Sequence, residues 1–364
     1  MSLVRKSIEM ASPYVAGKPI EETRRQLGLR TVIKLASNEN PFGPSPKAIA
    51  AIKKALAGIN RYPDSSSFYL KRKLAGIYRM NPDNFVLGNG SDELIDVVIK
   101  TFVNEDENIV TSETTFVEYE IIARVNNRQV ITAPLAGFTY DLAALGSKVN
   151  AKTKLVFIAN PNNPTGTYVT VKQLEGFLKG LPETVIVVLD EAYDTFIDVA
   201  DYPRGIAYLD KRVITLKTFS KAYGLSGLRI GYAIALPEFS RFMEKTRQPF
   251  NVNLLAQAGA LAALDDTAFL ETTRRATLEG KRFLYRQLEG LGFSCVPSVT
   301  NFILVDVKRD GVQVFKDLLQ EGIIVRDMKQ YNLDRFIRVT IGTPRENRAF
   351  IRALKKVSNR KATP

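Results

Sequence analysis

The chain has 364 residues, more than one hydrophobic core usually serves, so two domains are expected. Hydrophobic residues make up 45% of it and charged residues 24%, globular values that exclude a disordered chain. The 51 basic and 38 acidic residues leave a net charge of +13, but no dense Lys/Arg run or nucleic-acid signature accompanies it. An anionic small-molecule substrate is therefore expected, and no nucleic acid. Histidine is absent, which excludes every His-based triad, base or zinc site; no metal is expected, and acid–base work falls to Lys, Tyr, Asp or Glu. No apolar run approaches the roughly 20 residues that cross a bilayer, and no signal-peptide core opens the chain. The single cysteine, Cys295, excludes an internal disulfide. A cytoplasmic protein without membrane association is the expectation.

In chain order, residues 1–30 are Pro-punctuated and read as an N-terminal arm, joined to the small domain or a dimer partner. A large domain is expected over 31–264. Within it, β-rich runs at 85–87, 108–111, 129–132, 155–159, 185–189, 213–216 and 229–235 alternate with helical stretches. Several are nearly continuous Val, Ile and Leu, as in strands buried on both faces. The alternation predicts α/β architecture: a mainly parallel seven-stranded sheet flanked by helices, with ligand sites beyond its carboxyl ends. From 265 to 364 a smaller α+β domain is expected, with helices over 267–290, 312–320 and 344–356 and strands over 301–307, 323–326 and 336–340. Pro344 suits the first turn of the last helix.

Four motifs fall at predicted strand ends. Gly88-Asn89-Gly90-Ser91-Asp92-Glu93 opens an apolar helix, whose free N–H groups suit a phosphate. Asn160-Pro161-Asn162-Asn163-Pro164-Thr165-Gly166 reads as a tight turn that offers the Asn163 amide to a ligand oxygen. Asp190-Glu191-Ala192-Tyr193 ends a fully apolar strand, where an unpaired carboxylate is costly. Asp190 is either a helix cap or the counter-ion of a cationic ring nitrogen. Lys221, in Thr218-Phe219-Ser220-Lys221, is followed by Arg229 after a Gly-rich turn. Positive charge or desolvation beside a lysine lowers its pKa and makes the amine nucleophilic, while Thr, Ser and Arg around it can hold a phosphate.

The order and spacing of these motifs resemble fold-type-I, class-II pyridoxal-phosphate-dependent aminotransferases, over essentially the whole chain. Further segments resemble the histidinol-phosphate aminotransferase branch: Ser12-Pro13-Tyr14, Ser37-Asn38-Glu39-Asn40-Pro41-Phe42-Gly43, Arg61-Tyr62-Pro63-Asp64, Gly322 to Asp327 and Ile337 to Thr343. Aromatic aminotransferases and a phosphothreonine decarboxylase share much of this second set. The resemblance implies pyridoxal 5'-phosphate as cofactor, held in a Schiff base by Lys221. It implies that Asp190 pairs with the pyridine nitrogen, and that Tyr193 and Asn163 bond the ring's phenolic oxygen. Phe116 would stack on the ring; many relatives carry tyrosine there. Backbone amides of Ser91 and Asp92, with Thr218, Ser220 and Arg229, would hold the cofactor phosphate. Tyr62 would reach that phosphate from the second subunit of a homodimer with a composite active site. Tyr14, Asn163, Arg326 and Arg338 would bind substrate. The implied reaction converts L-histidinol phosphate and 2-oxoglutarate to imidazole acetol phosphate and L-glutamate in histidine biosynthesis.

Overall fold

The computed structural model describes residues 3–9 and 17–359. The seven expected strands all form: β1 (Phe85–Gly88), β2 (Asn108–Ser112), β3 (Gln129–Ala133), β4 (Thr153–Ala159), β5 (Ile186–Asp190), β6 (Val213–Thr218) and β7 (Gly231–Ile234). They make one sheet in the order β1-β7-β6-β5-β4-β2-β3. Every pairing within it is parallel except those of β7, which runs antiparallel to β1 and β6. Strands β1, β2 and β5 are buried at every residue. That is the state of a sheet covered on both faces, and it explains why their sequences do not alternate. The predicted run 229–235 begins two residues too early. Arg229 takes a left-handed φ of 54° after a short 3₁₀ turn at Ser226–Leu228, so it caps the turn instead of joining the ladder.

Helix α1 (Ser91–Phe102) follows β1, and α2 (Glu118–Val125) follows β2. The long α3 (Thr267–Gly290) leads into a four-stranded antiparallel sheet: β8 (Ser294–Val296), β9 (Phe302–Asp306), β10 (Arg326–Asp327) and β11 (Phe336–Thr340), in the order β8-β9-β11-β10. The chain ends its described part in α4 (Pro344–Ser358), started by Pro344 and by a reciprocal capping box between Thr343 and Glu346. Strand β8 was not expected from the sequence. The run expected over 323–326 divides in two. Ile323–Ile324 pairs in parallel with Ile33–Lys34, and after Val325 the chain crosses to β10. Leu35 accordingly packs in the small domain's core with Leu284, Ile303 and Phe350. Among the described residues no helix is long and apolar enough to cross a membrane.

The two sheets meet at the loop after β4. Gly166 has a φ of +79°, and a Cβ on it would run into Ser298. The Val299 N–H donates to the Gly166 carbonyl at 2.9 Å. Turn geometry alone does not account for this glycine: Ser298 of the small domain lies where any side chain would be.

Candidate active site

Strand-end loops of the large sheet and the facing edge of the small sheet enclose a cavity of about 260 Å³. Ser91 and Asp92 line it after β1, Phe116 after β2, Asn163 after β4, Asp190 and Tyr193 at the end of β5, and Thr218, Ser220, Lys221 and Arg229 after β6. Arg326 and Arg338 enter from β10 and β11. Two expected residues are not among them. Tyr62 is 83% exposed and stacks on Phe250 at 4.7 Å, away from this chain's cavity. Tyr14 lies outside the described residues.

At one end the helix α1 begins without a side-chain cap, after Gly90 at φ 89°. Its free N–H groups face a guanidinium: a Cβ on Gly90 would meet Arg229 Nη2 at 2.5 Å. Arg229 donates to Asp92 Oδ2 at 2.9 Å and to Ser220 Oγ at 3.5 Å. The Thr218 hydroxyl donates to Ser220 Oγ at 3.0 Å and accepts from the Ser220 N–H at 3.1 Å. Uncapped amides, hydroxyls and one guanidinium are the donor set of a phosphate dianion site. The Asp92 side chain, expected only for its backbone, holds the guanidinium in place.

Asp190 is buried at the end of β5, and burial raises its pKa to about 6, offset in part by the hydrogen bonds it accepts. Oδ2 accepts from the Tyr119 hydroxyl at 2.7 Å and Oδ1 from the Ala192 N–H at 3.0 Å. A cationic ring nitrogen placed beside it would restore the ionised form. Tyr193 is buried too, which lifts its hydroxyl to about 12, so it stays a neutral donor. That oxygen accepts from Asn38 Nδ2 at 2.9 Å, leaving its own proton to offer into the cavity. The Lys221 amine sits 5.7 Å from the Tyr193 ring centre and donates to the Ser37 carbonyl at 3.4 Å. Phe116 meets Tyr119 edge-on at 5.6 Å. Amine, strand-end carboxylate, phenol and phosphate cradle together fit pyridoxal phosphate.

A buried ion cluster fixes the turn that presents Asp190 and Tyr193. Lys217, on β6, lies 2.7 Å from Glu191 Oε2 and 2.5 Å from Asp194 Oδ2. Glu191 Oε1 also accepts from the Gly205 N–H at 2.6 Å. Burial works against the charge on Lys217, yet Asp194 and Glu191 hold its pKa well above the ordinary lysine value. Residues 190 and 193 therefore face the cavity while 191 and 194 are tied to Lys217. Tyr119 and Lys217 were missed in the sequence. A tyrosine on an amphipathic helix reads as core, but a lysine in the apolar strand Val213–Thr218 needs a buried partner, and that signal was available.

Arg338 faces Arg326 directly across the β10–β11 ladder. Arg338 Nη1 donates to Asn163 Oδ1, Nη2 donates to the Ala36 carbonyl at 2.8 Å, and the guanidinium lies 5.3 Å from the Phe302 ring centre. Its Nε is buried without a hydrogen bond among the described residues. Arg326 donates to Gln330 Oε1 at 3.2 Å. Like charges opposed on neighbouring strands destabilise a sheet unless an anion lies between them.

The fold and the cavity define a fold-type-I pyridoxal-phosphate enzyme. Residues 30–354 match the family described as aminotransferase class I and II. The chain is 49% identical to a histidinol-phosphate aminotransferase of Moorella thermoacetica over 97% of this chain and 92% of the relative. It is 45% identical to histidinol-phosphate aminotransferase 2 of Carboxydothermus hydrogenoformans over 98% and 99%. The solved histidinol-phosphate aminotransferase of Sinorhizobium meliloti in complex with pyridoxal-5'-phosphate superposes with a TM-score of 0.91 at 30% identity, covering 98% of each chain. An aspartate aminotransferase from Thermus thermophilus, 22% identical, shares the fold with a TM-score of 0.86. The chain belongs to the class I and II aminotransferases, in their histidinol-phosphate aminotransferase branch.

The ion cluster generates a stability prediction. Lys217→Met leaves the buried Glu191 without its cation and Asp194 with only Arg204, at 3.9 Å, and should cost about 3–5 kcal/mol. Denaturant unfolding followed by circular dichroism reads this directly. Lys217→Arg should recover most of the loss, whereas equal stability of Met and wild type would show that the cluster holds nothing.

Proposed function

We propose that this chain transfers the amino group of L-histidinol phosphate to 2-oxoglutarate, giving imidazole acetol phosphate and L-glutamate in histidine biosynthesis. The observation that carries this reading is the facing pair Arg326 and Arg338 in the cavity that holds Lys221. Histidinol phosphate has no carboxylate, so its phosphate takes the place where a carboxylate would be gripped. Two guanidinium forks suit a dianion better than one.

Bound pyridoxal phosphate supplies an aldehyde and an electron-withdrawing ring. The chain's residues do the rest. Ser91 and Asp92 amides, Thr218, Ser220 and Arg229 bind the cofactor phosphate, and Phe116 packs on the ring. Asp190 keeps the ring nitrogen protonated, while Tyr193 and Asn163 hold the ring's oxygen. With the cofactor bound, Lys221 Nζ would be the amine that holds its aldehyde and would give way to the substrate amine. Once released, the Lys221 amine would be the base that takes the proton from the substrate's amine-bearing carbon and, as its ammonium, the acid that gives a proton back. Arg326 and Arg338, with Asn163 and Tyr14, orient the substrate.

Removing one fork tests the substrate. Arg326→Ala should lower kcat/KM for histidinol phosphate by about 2–4 kcal/mol, as for truncating a buried charged contact. The loss for glutamate should be smaller, since Arg338 alone can grip its carboxylate. Equal losses, or faster turnover of phenylalanine and tyrosine than of histidinol phosphate, would favour an aromatic aminotransferase.

The enzyme is further proposed to work in the cytoplasm as a homodimer in which Tyr62 completes the partner's phosphate cradle. Support comes from Ile59 and Phe250, exposed apolar side chains that line one surface hollow with Tyr62. Lys221→Ala and Tyr62→Ala homodimers should both be crippled. Unfolding and refolding them together should return activity, because each hybrid contains one site with both residues intact. A fully active monomer by sedimentation would contradict the arrangement.

A further inference from the structure

The cavity holds three carboxylates against four cations, Lys221, Arg229, Arg326 and Arg338. Two of the carboxylates are accounted for. Asp92 accepts from Arg229, and Asp190 accepts from Tyr119 and the Ala192 N–H. The lining amides are engaged as well. Asn38 donates to Tyr193, Asn163 accepts from Arg338, and Gln330 accepts from Arg326. The third carboxylate, Glu118, has no hydrogen bond or ion pair among the described residues. It is the first residue of α2, two positions past Phe116, and is half-buried on the large-domain wall. Burial and then the neighbouring Asp92 raise its pKa. A carboxylate so placed gains from any cation or N–H donor brought to it.

Histidinol phosphate brings one. Its amine-bearing carbon carries two arms, a phosphate ester and an imidazole. Arg326 and Arg338 come from the small-domain sheet and take the phosphate, so the imidazole must find its own partner elsewhere in the cavity. An apolar wall would accept phenylalanine or tyrosine as readily as imidazole. A carboxylate discriminates by charge, because a protonated imidazole brings a cation near neutral pH, whereas phenylalanine brings no donor and tyrosine only a neutral hydroxyl. We propose that Glu118 is the specificity residue that accepts the imidazole N–H of the substrate. This rests on the function proposed above. Glu118 also lies in the first turn of a helix, where a negative charge is favoured. That role alone would not distinguish one substrate from another.

The test uses the holoenzyme in two half-reactions, histidinol phosphate and glutamate, each followed by the change in cofactor absorbance. Glu118→Gln keeps an acceptor without the charge, and Glu118→Ala removes both. kcat/KM for histidinol phosphate should fall about 10–100-fold in Glu118→Ala, the loss of a hydrogen bond to a charged group, and less in Glu118→Gln. The loss should lie mainly in KM, and the glutamate half-reaction should change far less. Equal losses on both substrates, or none on histidinol phosphate, would overturn the role of Glu118 and leave the proposed function standing. Failure of the wild-type enzyme to react with histidinol phosphate would overturn both.

Discussion

Lys217 is held between Glu191 and Asp194 at 2.7 and 2.5 Å, in a part of the protein where an unpaired ion is not tolerated. The active cavity depends on this contact, because the same five-residue turn carries Asp190 and Tyr193 on its other face. Breaking a buried ion pair from one side is far more costly than never having built it. The turn is thus fixed by charge on its back and free to do chemistry on its front. Asp190 can then remain in a dry site that pushes its carboxyl up to about 6, awaiting a cationic partner.

The front of the cavity is organised by the opposite imbalance. Arg326 and Arg338 are opposed across a strand ladder, and Arg229 stands over an uncapped helix start. The opposed Arg326 and Arg338 would be a liability in a cavity that bound nothing. Both arrangements become reasonable when two anionic groups enter, a cofactor phosphate at one end and a substrate anion at the other. Domain contact adds to this: the Arg338 guanidinium reaches from the small domain to Asn163 of the large one, on the loop where Gly166 admits the small domain's Ser298. Arg338, proposed to grip the substrate, therefore also carries a contact between the two domains.

Much of this was legible in the sequence because it is local. Buried parallel strands are continuous apolar runs, and the Gly-Asn-Gly-Ser, Asn-Pro-Thr-Gly and Ser-Lys motifs sit where those runs stop. What was not legible depends on contacts between distant segments. Asn38 reaches Tyr193 across 155 positions, and although its segment carries the family resemblance, nothing in it points to that partner. Strand 323–326 looked single, but its halves serve different partners, Ile33–Lys34 and β11. Tyr119 resembles core until Asp190 is seen at its hydroxyl. Lys217 was the recoverable omission, since a cation inside a strand with Val213, Ile214 and Leu216 fully buried demands an anion.

The central claim is that the Lys221 amine at the end of β6 carries the cofactor. Borohydride reduction of the holoenzyme, followed by proteolysis and mass mapping, tests it most directly. The account predicts one phosphopyridoxyl group per chain, on the peptide containing Ser220-Lys221, and none in Lys221→Ala. Attachment to another lysine, or an unaltered map after reduction, would contradict it.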